Sequence, residues 1–254
     1  MLLAIDVGNT NIVFGVLRGD EIEASWRAAT DVHRMPDEYA MLLKDLLEMR
    51  SLQFRDLSGC IIASVVPPLT GIMQELSQRY LGHTALVVGP GIKTGVRIRT
   101  DNPVEVGADR VVNALAAHRL HGGPCVVIDF GTATTFDAVS REGEYLGGAI
   151  APGIGTAAEA LFLRAAKLPR IELVAPPRAI GTNTTHSMQS GVMFGYVGLV
   201  EGLVERFRRE LGPDMKVIAT GGLAPVIAAE TRVIEIVSPD LTLQGLQMIY
   251  ELNR

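Results

Sequence analysis

Two short segments of this chain carry an acid, a glycine and a run of small polar residues in the same order: Asp6-Val7-Gly8-Asn9-Thr10-Asn11 and Asp129-Phe130-Gly131-Thr132-Ala133-Thr134-Thr135. In each, the acid ends a short apolar run, Leu2–Ile5 or Cys125–Ile128, that reads as a buried strand. A carboxylate there is costly unless donors or a cation meet it. The glycine two residues on opens backbone angles closed to other residues and lets a ligand come close. Asn9, Thr10 and Asn11 add short polar side chains and exposed N–H groups, making a donor-rich pocket beside an anion able to hold hydrated Mg²⁺. That chemistry suits the tail of a nucleotide. One copy alone reads equally well as a hairpin whose Asp caps its own turn; two copies, each opening a half of the chain, favour the ligand. Thr132 and Thr134 offer hydroxyls to a phosphate or a cation. Thr220-Gly221-Gly222, ending a strand and opening a helix, suits close approach to an adenine or ribose.

A further segment, Asn102-Pro103-Val104-Glu105-Val106-Gly107-Ala108-Asp109-Arg110, ends a loop rich in glycine and proline. Asp109 falls in the first turn of the helix that should follow. The helix dipole alone explains an acid there. The functional reading is a carboxylate held at a loop mouth to take a hydroxyl proton, with Arg110 beside it to meet an anion. The four lysines, Lys44, Lys93, Lys167 and Lys216, lie in no Gly-x-x-x-x-Gly-Lys-Ser/Thr loop, which excludes a P-loop enzyme. Charge on a transferring phosphoryl group must then be met by metal ions, backbone N–H groups and arginine. The five histidines share no metal-ligand spacing, and His118 and His121 read as surface residues at a helix end.

The elements that position these groups follow from hydrophobic spacing. Strands are expected at Leu2–Asp6, Asn11–Leu17, Glu21–Ala28, Gly59–Val66 and Ala85–Val88, and helices at Asp37–Arg50, Leu69–Leu81 and Ala108–Leu120. The pattern then restarts. Strands are expected at Cys125–Asp129, Ala133–Ser140, Glu144–Ile150, Lys216–Ala219 and Val233–Val237. Helices should cover Asn183–Leu211, Leu223–Ala229 and Leu241–Leu252. An offset of 123 residues sets Asp6 on Asp129, Gly8 on Gly131, Val16 on Val139, Arg18 on Arg141 and Glu21 on Glu144. These identities fall at equivalent points of a strand–turn–strand–turn–strand unit, so a duplicated α/β architecture is expected. It has two lobes, residues 1–118 and 119–254, each a mixed sheet flanked by helices, with a ligand cleft between them. The first lobe carries the phosphate-binding hairpin and Asp109, the second the cation, further nucleotide contacts and dimer contacts.

Composition narrows the classes. The chain has 254 residues, 48% of them hydrophobic, enough for a large domain or two smaller ones and unlike a disordered chain. Its net charge of −5 and scattered basic residues lack the patch that neutralises nucleic-acid phosphates. Cys60 and Cys125 each begin an apolar run and read as thiols buried in strands. The N-terminus meets an acid at position 6 with no basic lead, unlike a signal peptide. No apolar run approaches the roughly 18 residues of a membrane span. The expected address is cytoplasmic.

The segments AIDVGNTNIVFG, DNPVEVGADR, VIDFGTATTFD, GGAIAPG, IGTNTTHSMQSG and ATGGLA, in this order, resemble a type III pantothenate kinase over nearly the whole chain. The first segment alone would indicate only the acetate and sugar kinase, Hsp70 and actin superfamily. The resemblance implies ribonuclease H-like, actin-like ATPase lobes and ATP-dependent phosphorylation of the primary hydroxyl of pantothenate, the first step towards coenzyme A. It implies that Asp6, Val7, Gly8, Asn9, Thr10, Asn11, Ile12 and Val13 hold ATP phosphates and Mg²⁺, Asp6 through water, and that Thr132 touches ATP. It makes Asp109 the proton acceptor, framed with pantothenate by Gly107, Ala108 and Arg110, with Thr184 touching pantothenate. Asp129 would bind a monovalent cation, K⁺ or NH₄⁺, and a homodimer would bring a neighbouring subunit to the substrate pocket. Thr100 departs from the tyrosine many members carry two residues before the Asn-Pro, which leaves its role open.

Two other classes compete. A regulatory ATP-binding protein, such as a transcriptional accessory factor, would share the fold, but the acidic balance and lack of a basic stripe count against DNA contact. A chaperone-like or actin-like ATPase would leave Asp109-Arg110 unexplained.

Overall fold

The computed structural model describes residues 1–254. In chain order the elements are β1 (Leu2–Val7), β2 (Asn11–Arg18), β3 (Glu21–Ala29), α1 (Pro36–Glu48), β4 (Gly59–Ser64), α2 (Pro67–Leu76), β5 (Leu86–Val87) and α3 (Ala108–His121). There follow β6 (Cys125–Phe130), β7 (Ala133–Val139), β8 (Tyr145–Pro152), α4 (Ile154–Arg164), α5 (Thr184–Gln189), α6 (Gly195–Leu211), β9 (Lys216–Thr220), α7 (Ala224–Ala228), β10 (Ile236–Val237) and α8 (Leu241–Leu252).

The strands form two five-stranded sheets, ordered β3-β2-β1-β4-β5 and β8-β7-β6-β9-β10. In both, the first three strands make an antiparallel meander, and the fourth and fifth join in parallel on the other side of the first. A parallel strand needs a long crossover, and helices supply it: α1 precedes β4, and α4 to α6 precede β9. The two halves thus repeat one mixed topology, the duplicated α/β architecture that the sequence pattern implies.

Register corrects one detail of the repeat. Leu3 pairs with Val16, whereas Val126 pairs with Ala138, so Val16 corresponds to Ala138 and not to Val139. The turn of the first hairpin, Gly8–Thr10, is one residue longer than Gly131–Thr132, which slips the second strand by one while the Asp and Gly stay aligned.

Contacts divide the chain into two compact units. One comprises Met1–Val96, Asp101–Ala116 and Leu241–Arg254; the other comprises Arg97–Thr100 and Ala117–Asp240. The last helix, expected with the C-terminal lobe, belongs instead to the first unit, because Leu243, Leu246 and Ile249 pack with Leu2, Ala4 and Ile61 of β1 and β4. Val112 and Leu115 of α3 share that face of the sheet. On the opposite face Leu3, Ile5 and Val7 pack with Tyr39, Leu43 and Leu47 of α1 and with Leu69 and Met73 of α2. Burial on both faces explains why β1 reads as a continuous apolar run. In the second unit Val126, Ile128 and Phe136 pack with Val197, Val200 and Val204 of α6.

Four expectations change. The helix expected over Asn183–Leu211 is interrupted by a wider π turn at Ser190–Phe194, where Ser190 turns its hydroxyl to Ala179 O at 2.5 Å. The helix expected to Leu81 likewise ends in a π turn at Ser77–Leu81. α4 has no counterpart among the expected elements. Cys60 and Cys125 are buried in strands as the spacing predicts. His118 and His121 are half-buried rather than surface residues, the first with its Nε2 3.0 Å from Arg141 O. No helix is long and apolar enough to cross a membrane.

Candidate active site

In the first unit, strand alternation decides where Asp6 points. Leu3, Ile5 and Val7 face α1 and α2, so Leu2, Ala4 and Asp6 face the side that α3 and α8 cover. Beyond Asp6 the chain turns: Gly8 N donates to Asn11 O at 3.0 Å, and Thr30 N and Oγ1 donate to Thr10 O and Gly8 O at 2.9 and 2.6 Å. A Cβ at Gly8 would sit 3.1 Å from Asn11 O, so the turn leaves little room for a side chain. Asn9, Thr10 and Asn11 are exposed at its tip, while Ile12 is buried and Val13 pairs with Asp6.

Asp109 lies at the same end of the sheet. Val65 N donates to Val7 O at 3.0 Å, and Val65 in turn packs by Gly107, where an added Cβ would lie 3.5 Å from Val65 Cγ1. That same Cβ would fall 2.5 Å from Asp109 Oδ1, so Gly107 makes the space the carboxylate occupies. Arg110 N donates to Asp109 Oδ1 at 2.8 Å. Burial raises the Asp109 pKa above the ordinary carboxylate value, opposed by the Arg110 N–H and by the Arg110 charge. Ala108, the first residue of α3, is half-buried between them. The first unit therefore sets two acids, Asp6 and Asp109, on one face and at one end of one sheet.

In the second unit Asp129 is the penultimate residue of β6, paired with Thr135 and Thr220. Gly131 N donates to Ala133 O at 3.1 Å across the turn, and Thr132 is exposed at its tip. Two further glycines close on this hairpin. Gly221, at φ +90°, comes so near that a Cβ would lie 2.7 Å from Asp129 Oδ1 and from Phe130 O. Gly153, the residue before α4, would place a Cβ 2.4 Å from Gly131 O and Thr132 O. Gly153 N and Thr156 Oγ1 both donate to Thr132 O, at 3.0 and 2.9 Å. Sequence reasoning gives Gly221 a ligand role and gives Gly153 none; the signal for both is a glycine between a strand end and a helix. Thr184 begins α5, exposed, beside the N-cap Asn183, whose Oδ1 accepts from His186 N at 2.8 Å. Thr100 places its Oγ1 in a buried position with no hydrogen bond.

No group of three or more His, Cys, Asp or Glu gathers as a metal cage. Mg²⁺ suits this: it keeps several waters and takes one or two carboxylates plus phosphate oxygens, and Asp6 at a strand end beside a donor-rich turn fits that role.

Two duplicated mixed sheets, each carrying an Asp-x-Gly hairpin, define the actin-like ATPase and sugar-kinase fold. The solved activator of 2-hydroxyisocaproyl-CoA dehydratase from Clostridium difficile, with bound ADPNP, shares this fold at TM-score 0.56 and 14% identity, over 99% of this chain and 94% of that one. A Campylobacter jejuni structure described as a Baf family transcriptional activator aligns at TM-score 0.62 and 20% identity over 99% and 98%. At such identities the likeness shows the fold alone. Sequence goes further. The family model of type III pantothenate kinase matches residues 2–206. The type III pantothenate kinase of Moorella thermoacetica is 56% identical over the whole of both chains, and that of Dehalococcoides mccartyi strain CBDB1 is 53% identical over this whole chain and 96% of the relative. The chain belongs to the type III pantothenate kinase family.

Proposed function

We propose that this chain transfers the γ-phosphoryl group of ATP to the primary hydroxyl of pantothenate, giving 4′-phosphopantothenate for coenzyme A synthesis. The observation that carries the reading is the seat of Asp109, cleared by Gly107, fixed by Arg110 N–H and set at the same end of the sheet as Asp6. Asp109 orients the substrate hydroxyl and takes its proton; its raised pKa matches a group that must accept one. Gly107, Ala108, Arg110 and Thr184 frame pantothenate, Arg110 meeting its carboxylate. Residues Asp6 to Val13 cradle the ATP phosphates, and Thr132 adds a hydroxyl. Mg²⁺, bound near Asp6 through water, offsets phosphate charge, and a monovalent cation, K⁺ or NH₄⁺, does so beside Asp129, where lysine is absent.

The enzyme works as a homodimer in the cytoplasm. Two free buried cysteines fit a reducing compartment. An apolar groove of about 590 Å³ in the second unit, walled by α4, α5 and α6, fits a second copy. ADP release by the purified protein with ATP, Mg²⁺ and pantothenate, with and without potassium, tests the reading. Turnover that ignores pantothenate under both conditions would sink it.

A further inference from the structure

Tyr196 of α6 fastens the second hairpin from behind. Its hydroxyl lies 2.7 Å from Thr134 Oγ1 and 2.5 Å from Pro152 O. Tyr196 is 7% exposed and Thr134 wholly buried. A tyrosine hydroxyl has one proton, and a carbonyl oxygen only accepts. The Tyr196 proton therefore goes to Pro152 O, and the Thr134 hydroxyl donates to the Tyr196 oxygen. This fixes both hydroxyls in one orientation and leaves neither without a partner.

Both anchors lead to the hairpin tip. Thr134 stands two residues after Thr132 on β7, and its side chain shares the α6 face with Phe136, whereas Asp129 pairs with Thr135 on the other face. Pro152 ends β8 and precedes Gly153, whose N–H donates to Thr132 O. One phenol oxygen thus ties β7, the strand that leaves Thr132, to the end of β8, on the side of the sheet away from the Asp129 carboxylate. The ring itself lines the apolar groove with Met188, Val192 and Leu199. A phenylalanine would fill that volume equally, so packing gives no reason for the hydroxyl.

We propose that the Tyr196 hydroxyl is a positioning group for nucleotide and cation binding: by locking Thr134 to the end of β8 it sets the hairpin that presents Thr132 and Asp129. The inference rests on the reading of that hairpin given above.

The test compares Tyr196→Phe, Thr134→Val and Thr134→Ser with the wild-type enzyme for kcat, KM for ATP, KM for pantothenate, potassium half-saturation and Tm. Losing one buried hydrogen bond is worth about a fivefold to tenfold change. Tyr196→Phe and Thr134→Val are expected to raise KM for ATP and potassium half-saturation by about that factor, with KM for pantothenate within about twofold. Thr134→Ser keeps the hydroxyl and should restore wild-type values. A merely structural hydroxyl would lower Tm and leave both ligand constants unchanged, and that result overturns the proposal. So does an equal rise in all three constants. A wild-type enzyme whose turnover ignores potassium overturns the cation role of Asp129 instead, and KM for ATP then decides on Tyr196.

Discussion

Asp109 is where burial and charge oppose one another most plainly. Its pKa is raised chiefly because burial disfavours the anion, and the Arg110 N–H and charge recover only part of that cost. The sign follows directly. A carboxyl whose folded-state pKa is raised stabilises the fold below the ordinary carboxylate pKa, and that contribution is lost as pH climbs through the raised value. Wherever Asp109 is ionised it burdens the fold, a cost that follows from the proposed role as proton acceptor. Asp109→Asn should therefore lose at least ~100-fold in turnover, since base and orientation effects are each of that order, while its Tm at pH 7 equals or exceeds that of the wild type. A variant with near-normal rate would remove Asp109 from the mechanism. For the same reason the acid limb of kcat/KM against pH should lie above the range of an exposed carboxylate. The cysteines make the opposite point about burial without function. Both thiols are pushed up to about 12, so little thiolate exists at neutral pH. Iodoacetamide should leave the native enzyme unlabelled and alkylate two sites per chain in denaturant; rapid native labelling would contradict the burial.

At the scale of elements, glycines decide how the second hairpin is held. Gly221 combines φ +90° with an approach in which a methyl group would meet Asp129 Oδ1 and the Phe130 backbone. Gly221→Ala should cost on the order of 1–3 kcal/mol in strain and weaken ATP-dependent turnover, read by thermal unfolding and steady-state rates. Gly71, inside α2 with open space where a methyl group would stand, should behave oppositely: Gly71→Ala should stabilise by about 0.5–1 kcal/mol. The same contrast separates what the sequence reveals from what it hides. β1, β6 and their hairpins are legible because an apolar run stopped by Asp-x-Gly is a local pattern. α3 is legible for the same reason, with Gly107 before it and Asp109 in its first turn. The π turn at Ser190–Phe194 is not, because no proline in the helical spacing marks it; the Ser190 hydroxyl's bond to Ala179 O shows only in the fold. Nor is the one-residue slip of β2 against β7, which leaves the composition of either strand unchanged and shows only in pairing. α4 hides because its apolar residues do not mark one buried face: Leu161 and Leu163 are exposed, and only Ile154 is buried. Asp6 and Asp129 are visible as acids at strand ends; that Gly153 closes on the second hairpin shows only in the fold.

For the whole molecule, the exposed apolar residues of the second unit ask for a partner. Leu163 and Ile180 are 67% and 83% exposed, and Leu161 stands at the rim of the groove lined by Met188, Val192 and Leu199. An apolar groove with exposed apolar side chains is the kind of surface that marks an interaction site. A second copy is the occupant that the proposed dimer supplies, and a two-fold interface would bring the same face of both subunits together. Sedimentation equilibrium should give a mass near twice 27.2 kDa at micromolar concentration. Leu161→Asp puts a charge where desolvation on association would be costly, so it should shift the protein to a monomer with its Tm little changed. If the neighbouring subunit helps close the substrate pocket, that monomer should show a higher KM for pantothenate with ATP half-saturation nearly unaffected, the reverse of the pattern expected for Tyr196→Phe. A wild-type protein that sediments as a monomer would end the dimer reading, and a Leu161→Asp dimer would place the interface on another surface.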